Sequence, residues 1–205
     1  MPGGALELAN RLCDSSIPAQ KAAVSCRHPE EKSMSLRDVL VDELRDLYSA
    51  ENQLVKALPK MAKGSEHQEV KNLITEHLEQ TKGQVDRLKQ VFQQLEEKPA
   101  GELCKGMEGL VAEGNEQLQS EEEGAAKDLC IASVALRIEH YEIAGYTAAI
   151  AIAKTLGERE IVSLLTETLN EESEASKKIL SISKPLLKEA SAEAEEGDAE
   201  ETDEE

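Results

Sequence analysis

The sequence predicts an all-α protein: a four-helix bundle made of two antiparallel hairpins, with an extra short helix in the long connection between them. Three observations carry this expectation. Leu, Ile, Val and Ala supply most of the apolar residues, with one Phe, three Tyr and no Trp among 205 residues, a vocabulary that suits helices better than a β-sandwich. Four segments repeat apolar residues every three or four positions, the period of a helix with one buried face. Two short glycine-marked breaks and one long one separate these segments, so the chain should turn sharply twice and cross once. At this length and 40% hydrophobic content, one domain with tails is expected.

Residues 1–33 contain three prolines, balance four basic against four acidic residues and show no sustained period; we expect a disordered extension. Met34 stands just before the first periodic segment, which makes it an alternative translation start to Met1. Ser35 followed by Asp38 forms a capping-box-like start to a first helix, with a stripe of Leu36, Leu40, Leu47, Leu54, Leu58 and Met61 that closes near Gly64. Pro59 would kink its last turn. Ser65 is expected to open a second helix with the stripe Val70, Leu73, Ile74, Leu78, Val85, Leu88, Phe92 and Leu95, ending before Pro99. A short helix around Met107 to Leu118 follows. A third long helix runs from about Ala125 to Leu156 and stops at Gly157, and a fourth from Glu158 to Leu187. The bundle thus spans 34–187. The remainder, 188–205, is low in complexity and acidic, which reads as a disordered tail. The order hairpin, long connection, hairpin is that of a ferritin-like bundle.

Charge and cysteine usage restrict function. A net charge of −19 disfavours nucleic acid as a partner, since binding phosphates needs clustered Lys and Arg. Ten acidic residues and no basic one lie between Glu189 and Glu205, so about half of that charge belongs to the tail. Cys13, Cys26, Cys104 and Cys130 are widely spaced with no CxxC pair, which argues against a zinc knuckle or a disulfide scaffold and for free thiols in the cytoplasm. No apolar run is long enough to span a membrane.

The candidate site comes from polar residues that share the apolar stripes. Advancing about 100° per residue places Glu43 and Glu51 on the inner face of the first helix. His77, Thr81 and Gln84 fall on that of the second, with Gln80 at its edge. Glu139, with Glu142 at the border, joins Ala132, Ala135, Leu136, Ile143, Tyr146 and Ile150 on the third. Thr168 and Glu172 join Leu165, Leu169, Ile179 and Leu180 on the fourth. Depth agrees as well as face. Glu51 lies 13 residues before Gly64 and His77 13 after it, while Glu142 lies 15 before Gly157 and Glu172 15 after. Each hairpin therefore presents a level pair at mid-bundle. A single glutamate beside an apolar stripe usually reaches water, and a single inward histidine usually has a hydrogen-bonded structural place. The coincidence of four residues on four helices favours metal ligands, because isolated charges are costly to bury and no inward Lys or Arg is expected at these levels. His67 and His140 read as surface residues, and Tyr146 as packing or a hydrogen-bond donor to the site.

The motifs "DLYSAENQLVKALPKMA", "EHLEQTKGQVDRL", "KGMEGLVAEGNE", "RIEHYEIAGY" and "LLTETLNEESEA" together resemble the YciE/YciF group of bacterial ferritin-like proteins over about Ser35 to Leu180. The resemblance implies a bundle with an added helix in the crossover, often a homodimer, associated with stress responses. The broader ferritin-like pattern implies two iron or manganese ions on paired glutamates and Glu-x-x-His motifs. This chain departs from that pattern: Glu51 fits, His77 with Gln80 replaces Glu-x-x-His, Glu139 and Glu142 form Glu-x-x-Glu, and Glu172 lacks the histidine three residues on. The expected ligands are Glu51, His77, Glu139, Glu142 and Glu172. The expected function is a di-metal carboxylate protein with redox activity toward oxygen or peroxide. A metal-free helical dimer acting through its surface is the competing expectation.

Overall fold

The computed structural model describes residues 33–119 and 123–203, so the expectation for the N-terminal extension, with Cys13 and Cys26, lies outside the described residues. The described chain is all helical: α1 (Leu36–Gly64), α2 (Gln68–Gln94), α3 (Lys105–Gln119), α4 (Gly124–Leu156) and α5 (Arg159–Asp203). It forms a ferritin-like bundle in which α1 pairs with α2 and α4 with α5, while α3 lies against α1 and α4. None of these helices is long and apolar enough to cross a membrane.

Local chemistry explains the first helix start and the end of α4. Ser35 Oγ accepts from the Asp38 backbone N–H at 3.1 Å, and the Ser35 N–H donates to the Asp38 carboxylate at 2.9 Å, the reciprocal pair that satisfies two otherwise orphaned donors. Gly157 ends α4 at φ 81°, a left-handed conformation that glycine adopts without side-chain strain. Pro59 sits within α1, which continues to Gly64.

The start of α2 corrects the expectation for Ser65. Its backbone N–H and Oγ both donate to Met61 O, so Ser65 closes α1. The opening of α2 is served instead by Asp128 of α4, a carboxylate 1% exposed, which accepts from the backbone N–H groups of Glu66 at 3.1 Å and His67 at 2.6 Å. A negative charge at a helix N-terminus is favourable, and this one ties the two hairpins together. Asp128→Ala should lower stability by about 1–3 kcal/mol, measurable by urea denaturation.

The long connection has to return the chain along the bundle. Arg37 near the start of α1 pairs with Glu97 at 2.9 Å, whereas α4 begins at the opposite end, where Asp128 meets Glu66. Cys104 anchors this crossover: its N–H donates to Ser49 Oγ at 2.9 Å, and its thiol donates to Asp46 at 3.2 Å. Tyr141 Oη donates to the same Asp46 oxygen at 2.8 Å. Gly106 is required beside this cluster, since a Cβ there would stand 2.7 Å from the Tyr141 ring.

The core consists of two apolar clusters. One, at the α1–α2 turn end, includes Leu54, Met61, Val70, Ile74, Ile131, Ile138, Ile179 and Leu186. The other, at the opposite end, includes Leu40, Leu44, Leu88, Phe92, Tyr146, Ile161 and Leu165. Leu36 and Leu180 belong to neither, being 41% and 48% exposed; each sits at the flank of its stripe. Helix α5 continues past Leu187 to Asp203, where a disordered tail was expected from residue 188. Alanine and glutamate are strong helix formers, Leu186 is fully buried and Ala190 packs on the first cluster. Glu193 also accepts from the Ala125 N–H at the start of α4, at 3.2 Å.

Candidate metal centre

Between the two apolar clusters the bundle buries a layer of polar side chains. Glu51 comes from α1, His77, Thr81 and Gln84 from α2, Glu139 and Glu142 from α4, and Thr168 and Glu172 from α5; none is more than 5% exposed. Each lies on its helix's inward stripe because helical spacing returns it there. The hairpin turns set the levels.

The closest group is His77, Glu142 and Glu172, each offering one ligand atom within 4.8 Å of the others. Glu139 joins through His77, its Oε1 standing 3.2 Å from Nε2, and Glu172 Oε2 is 3.9 Å from the same nitrogen. Neither His77 nitrogen makes an aligned hydrogen bond. Glu51 stands outside that tight group but feels the charge of Glu172, and Glu142 feels that of Glu51. Glu43 is only half-buried and has no place among them.

The polar neighbours are partly those the stripe suggested. Tyr146 Oη donates to Glu51 Oε1, the hydrogen bond foreseen for an inward tyrosine. Thr81 Oγ1 donates to the backbone carbonyl of His77 at 2.9 Å, not to its ring. Gln80 is half-buried at the helix edge, and the glutamine that enters the site is Gln84, one turn further on, which donates to Glu172 Oε1 and to Glu171 Oε2. No inward Lys or Arg was expected at these levels, and Arg87 comes near them at the rim. Its side chain, 13% exposed, pairs with Glu171 and with Glu167 at 3.4 Å and donates to Thr168 Oγ1 at 2.6 Å. The signal was present in its position three residues after Gln84. A long stem lets a residue at the edge of a stripe carry its charge inward. Arg87 engages the rim carboxylates Glu167 and Glu171, and among the described contacts it makes no hydrogen bond to Glu51, Glu139 or Glu142.

Burial and mutual repulsion make this a layer that bound cations would stabilise. Burial pushes the carboxyls of Glu51, Glu139 and Glu142 well above the usual range, and the neighbouring carboxylates push them further. For Glu51 the Tyr146 hydrogen bond and Arg87 act in the opposite direction. Glu51 Oε2, Glu139 Oε2, both oxygens of Glu142, Glu172 Oε2 and both ring nitrogens of His77 are buried without a hydrogen-bond partner. An unpaired buried acceptor costs about 1–3 kcal/mol, more when charged, so a shared cation would relieve several of these acceptors at once. Several carboxylate oxygens with one imidazole form a hard donor set that suits iron or manganese. The residues His77, Glu142 and Glu172 therefore fit such a metal ion.

Comparison with known proteins is consistent with this architecture. The family model described as "Domain of unknown function (DUF892)" matches residues 35–192. Protein YciF of Escherichia coli (strain K12) is 38% identical over 139 residues, 67% of this chain and 84% of that protein. The crystal structure of the E. coli stress protein YciF superposes with a TM-score of 0.73 at 35% identity, covering 75% of this chain and 98% of that one. YcfI of Rhodopseudomonas palustris gives 0.70 at 40% identity, over 73% and 96% of the two chains. A Xanthomonas campestris protein at 22% identity and a TM-score of 0.63, covering 79% of this chain and 99% of that one, shares the fold.

Proposed function

The chain belongs to the DUF892 family, and from that premise we propose that it is a di-metal carboxylate protein of the stress response, holding two iron or manganese ions. The ligands would be Glu51, His77, Glu139, Glu142 and Glu172. One observation carries the reading: these residues of four helices bury an imidazole and carboxylate oxygens that no protein donor satisfies. The stress context comes from the relative described as a stress protein.

The chain's own groups prepare the site. Tyr146 holds one oxygen of Glu51 and Gln84 one oxygen of Glu172, leaving the other oxygen of each without a partner. Such outer hydrogen bonds fix ligand orientation and raise metal affinity. Arg87 binds Glu171 and Glu167 at the rim and so limits the negative charge that the layer presents to solvent. A bound iron or manganese pair would supply the one-electron chemistry that carboxylates and imidazole lack, which supports redox activity toward oxygen or peroxide.

Metal quantification tests this reading. Protein made in iron- and manganese-supplemented cells should keep close to stoichiometric metal through dialysis, and the Glu51→Ala, Glu142→Ala double variant should lose it. A folded wild-type protein that emerges metal-free and ignores added iron or manganese in thermal melts overturns it, and leaves a helical bundle acting through its surface.

A further inference from the structure

We propose that the apolar cavity beside the acidic layer admits dioxygen to its His77–Glu139 side. The cavity lies within the cluster at the α1–α2 turn end, has a volume of about 20 Å³, and is walled by side chains such as Met61, Ile74, Ala135, Ile138, Ala175 and Ile179. Room of this size suits a molecule no larger than a few atoms. It exists because α4 and α5 contribute Ala132, Ala135 and Ala175 to its wall, where the opposite end of the bundle is filled by Leu44, Leu88, Phe92 and Tyr146.

Two polar side chains reach the wall, those of His77 and Glu139. They mark the end of the cavity that meets the candidate centre, where their Nε2 and Oε1 atoms are 3.2 Å apart. On the far side from these two groups the wall includes Leu73 and Ile182. A cleft between α2 and α5, lined by Glu69, Asn72, Glu76, Lys178 and Ser181, shares Leu73 and Ile182 with the cavity. Both shared residues are partly buried. The Glu76–Lys178 pair, at 2.6 Å, spans this cleft.

The wall chemistry selects the occupant. A hydrated cation or hydrogen peroxide would surrender hydrogen bonds to cross hydrocarbon. Dioxygen has none to lose, and small apolar cavities take up apolar molecules in preference to water. The cavity thus favours dioxygen over peroxide as the oxidant supplied to the centre. Its use as a substrate route rests on the metal reading above, whereas its occupancy does not.

The test uses the full chain, treated with chelator and methyl-labelled, with dioxygen itself as the paramagnetic probe. Under dioxygen pressure relative to nitrogen, the methyl protons of Leu58, Ile138 and Ile179 should relax several-fold faster than those of the equally buried Leu40, Leu44 and Ile161. Ala135→Leu should remove the contrast, and Ala175→Val serves as a milder filling variant if the first fails to fold. Equal relaxation in both clusters, or a contrast that survives filling, overturns the proposal. Metal retained by a protein without the contrast overturns the route alone. The contrast in a protein that never retains metal overturns the metal reading and leaves the dioxygen cavity standing.

Discussion

Glu142→Leu is expected to make the metal-free protein more stable, by about 2 kcal/mol or roughly 4–8 °C in Tm, while abolishing metal retention. Glu142 is fully buried, and neither of its carboxylate oxygens has a hydrogen-bond partner. Its carboxyl is forced upward by burial and by the charges of Glu51, Glu172 and Glu139. An apolar side chain of similar size removes that penalty and orphans no partner. Glu51→Leu provides the contrast. It removes the acceptor of Tyr146 Oη, so a buried hydroxyl loses its partner and the gain should shrink or vanish. Chemical denaturation of chelator-treated protein measures both. If Glu142→Leu destabilises as an ordinary core substitution would, the carboxylate is satisfied within the protein and the layer is no vacant-tolerant metal site. A stabilising variant without function would place the cost of the site in the fold, the usual exchange at functional positions.

The second large effect is a stability that falls with rising pH in the metal-free protein and is reversed by metal. Glu51, Glu139 and Glu142 have folded-state values raised above the 4.5 of an unperturbed carboxyl. Above pH 4.5 the folded protein therefore binds more protons than the unfolded chain, and linkage makes the slope of stability with pH negative. The contribution is complete below 4.5 and is lost as pH rises toward the raised values. Each carboxyl can contribute up to about 1.4 kcal/mol per pH unit. The net charge of −19 acts in the same direction through general repulsion, so the control is the triple variant Glu51→Gln, Glu139→Gln, Glu142→Gln. Its slope between pH 5 and 8 should be shallower than that of the parent; an equal slope would show that the buried layer does not carry the effect. Metal binding displaces protons from its ligands, so saturating manganese should stabilise most at the upper end of this range. At one hundred times the dissociation constant the gain is about 2.7 kcal/mol, or roughly 5–10 °C.

The burial of the five candidate residues was legible because two simple rules sufficed. Helical period assigned Glu51, His77, Glu139 and Glu172 to inner faces and Glu142 to the border of its stripe, and equal distances from Gly64 and Gly157 set the levels of Glu51, His77, Glu142 and Glu172. The structure buries all five. Residues at stripe edges were less legible, because an angle along a helix says nothing of the neighbour on that side. Gln80 stays half-buried and Arg87 reaches the rim on its long stem, while Glu43 and Leu180, expected on inner faces, are half-buried and exposed. The role of Asp128 was invisible for another reason: it caps a helix more than 60 residues away in sequence.

What the sequence by itself determined is the helical vocabulary, the two turns, the long crossover and the placement of Glu51, His77, Glu139 and Glu172 on inner faces with Glu142 at a border. All of these follow from local period and local turn chemistry. The tertiary structure alone decided which lone pairs remain unsatisfied, which carboxylates Gln84, Tyr146 and Arg87 engage, how far α5 extends, and where Ala135 and Ala175 leave room. Those outcomes depend on the distance and orientation between side chains on different helices, and hydrogen bonding, charge coupling and cavity volume change over a few ångströms that no pattern along one helix records.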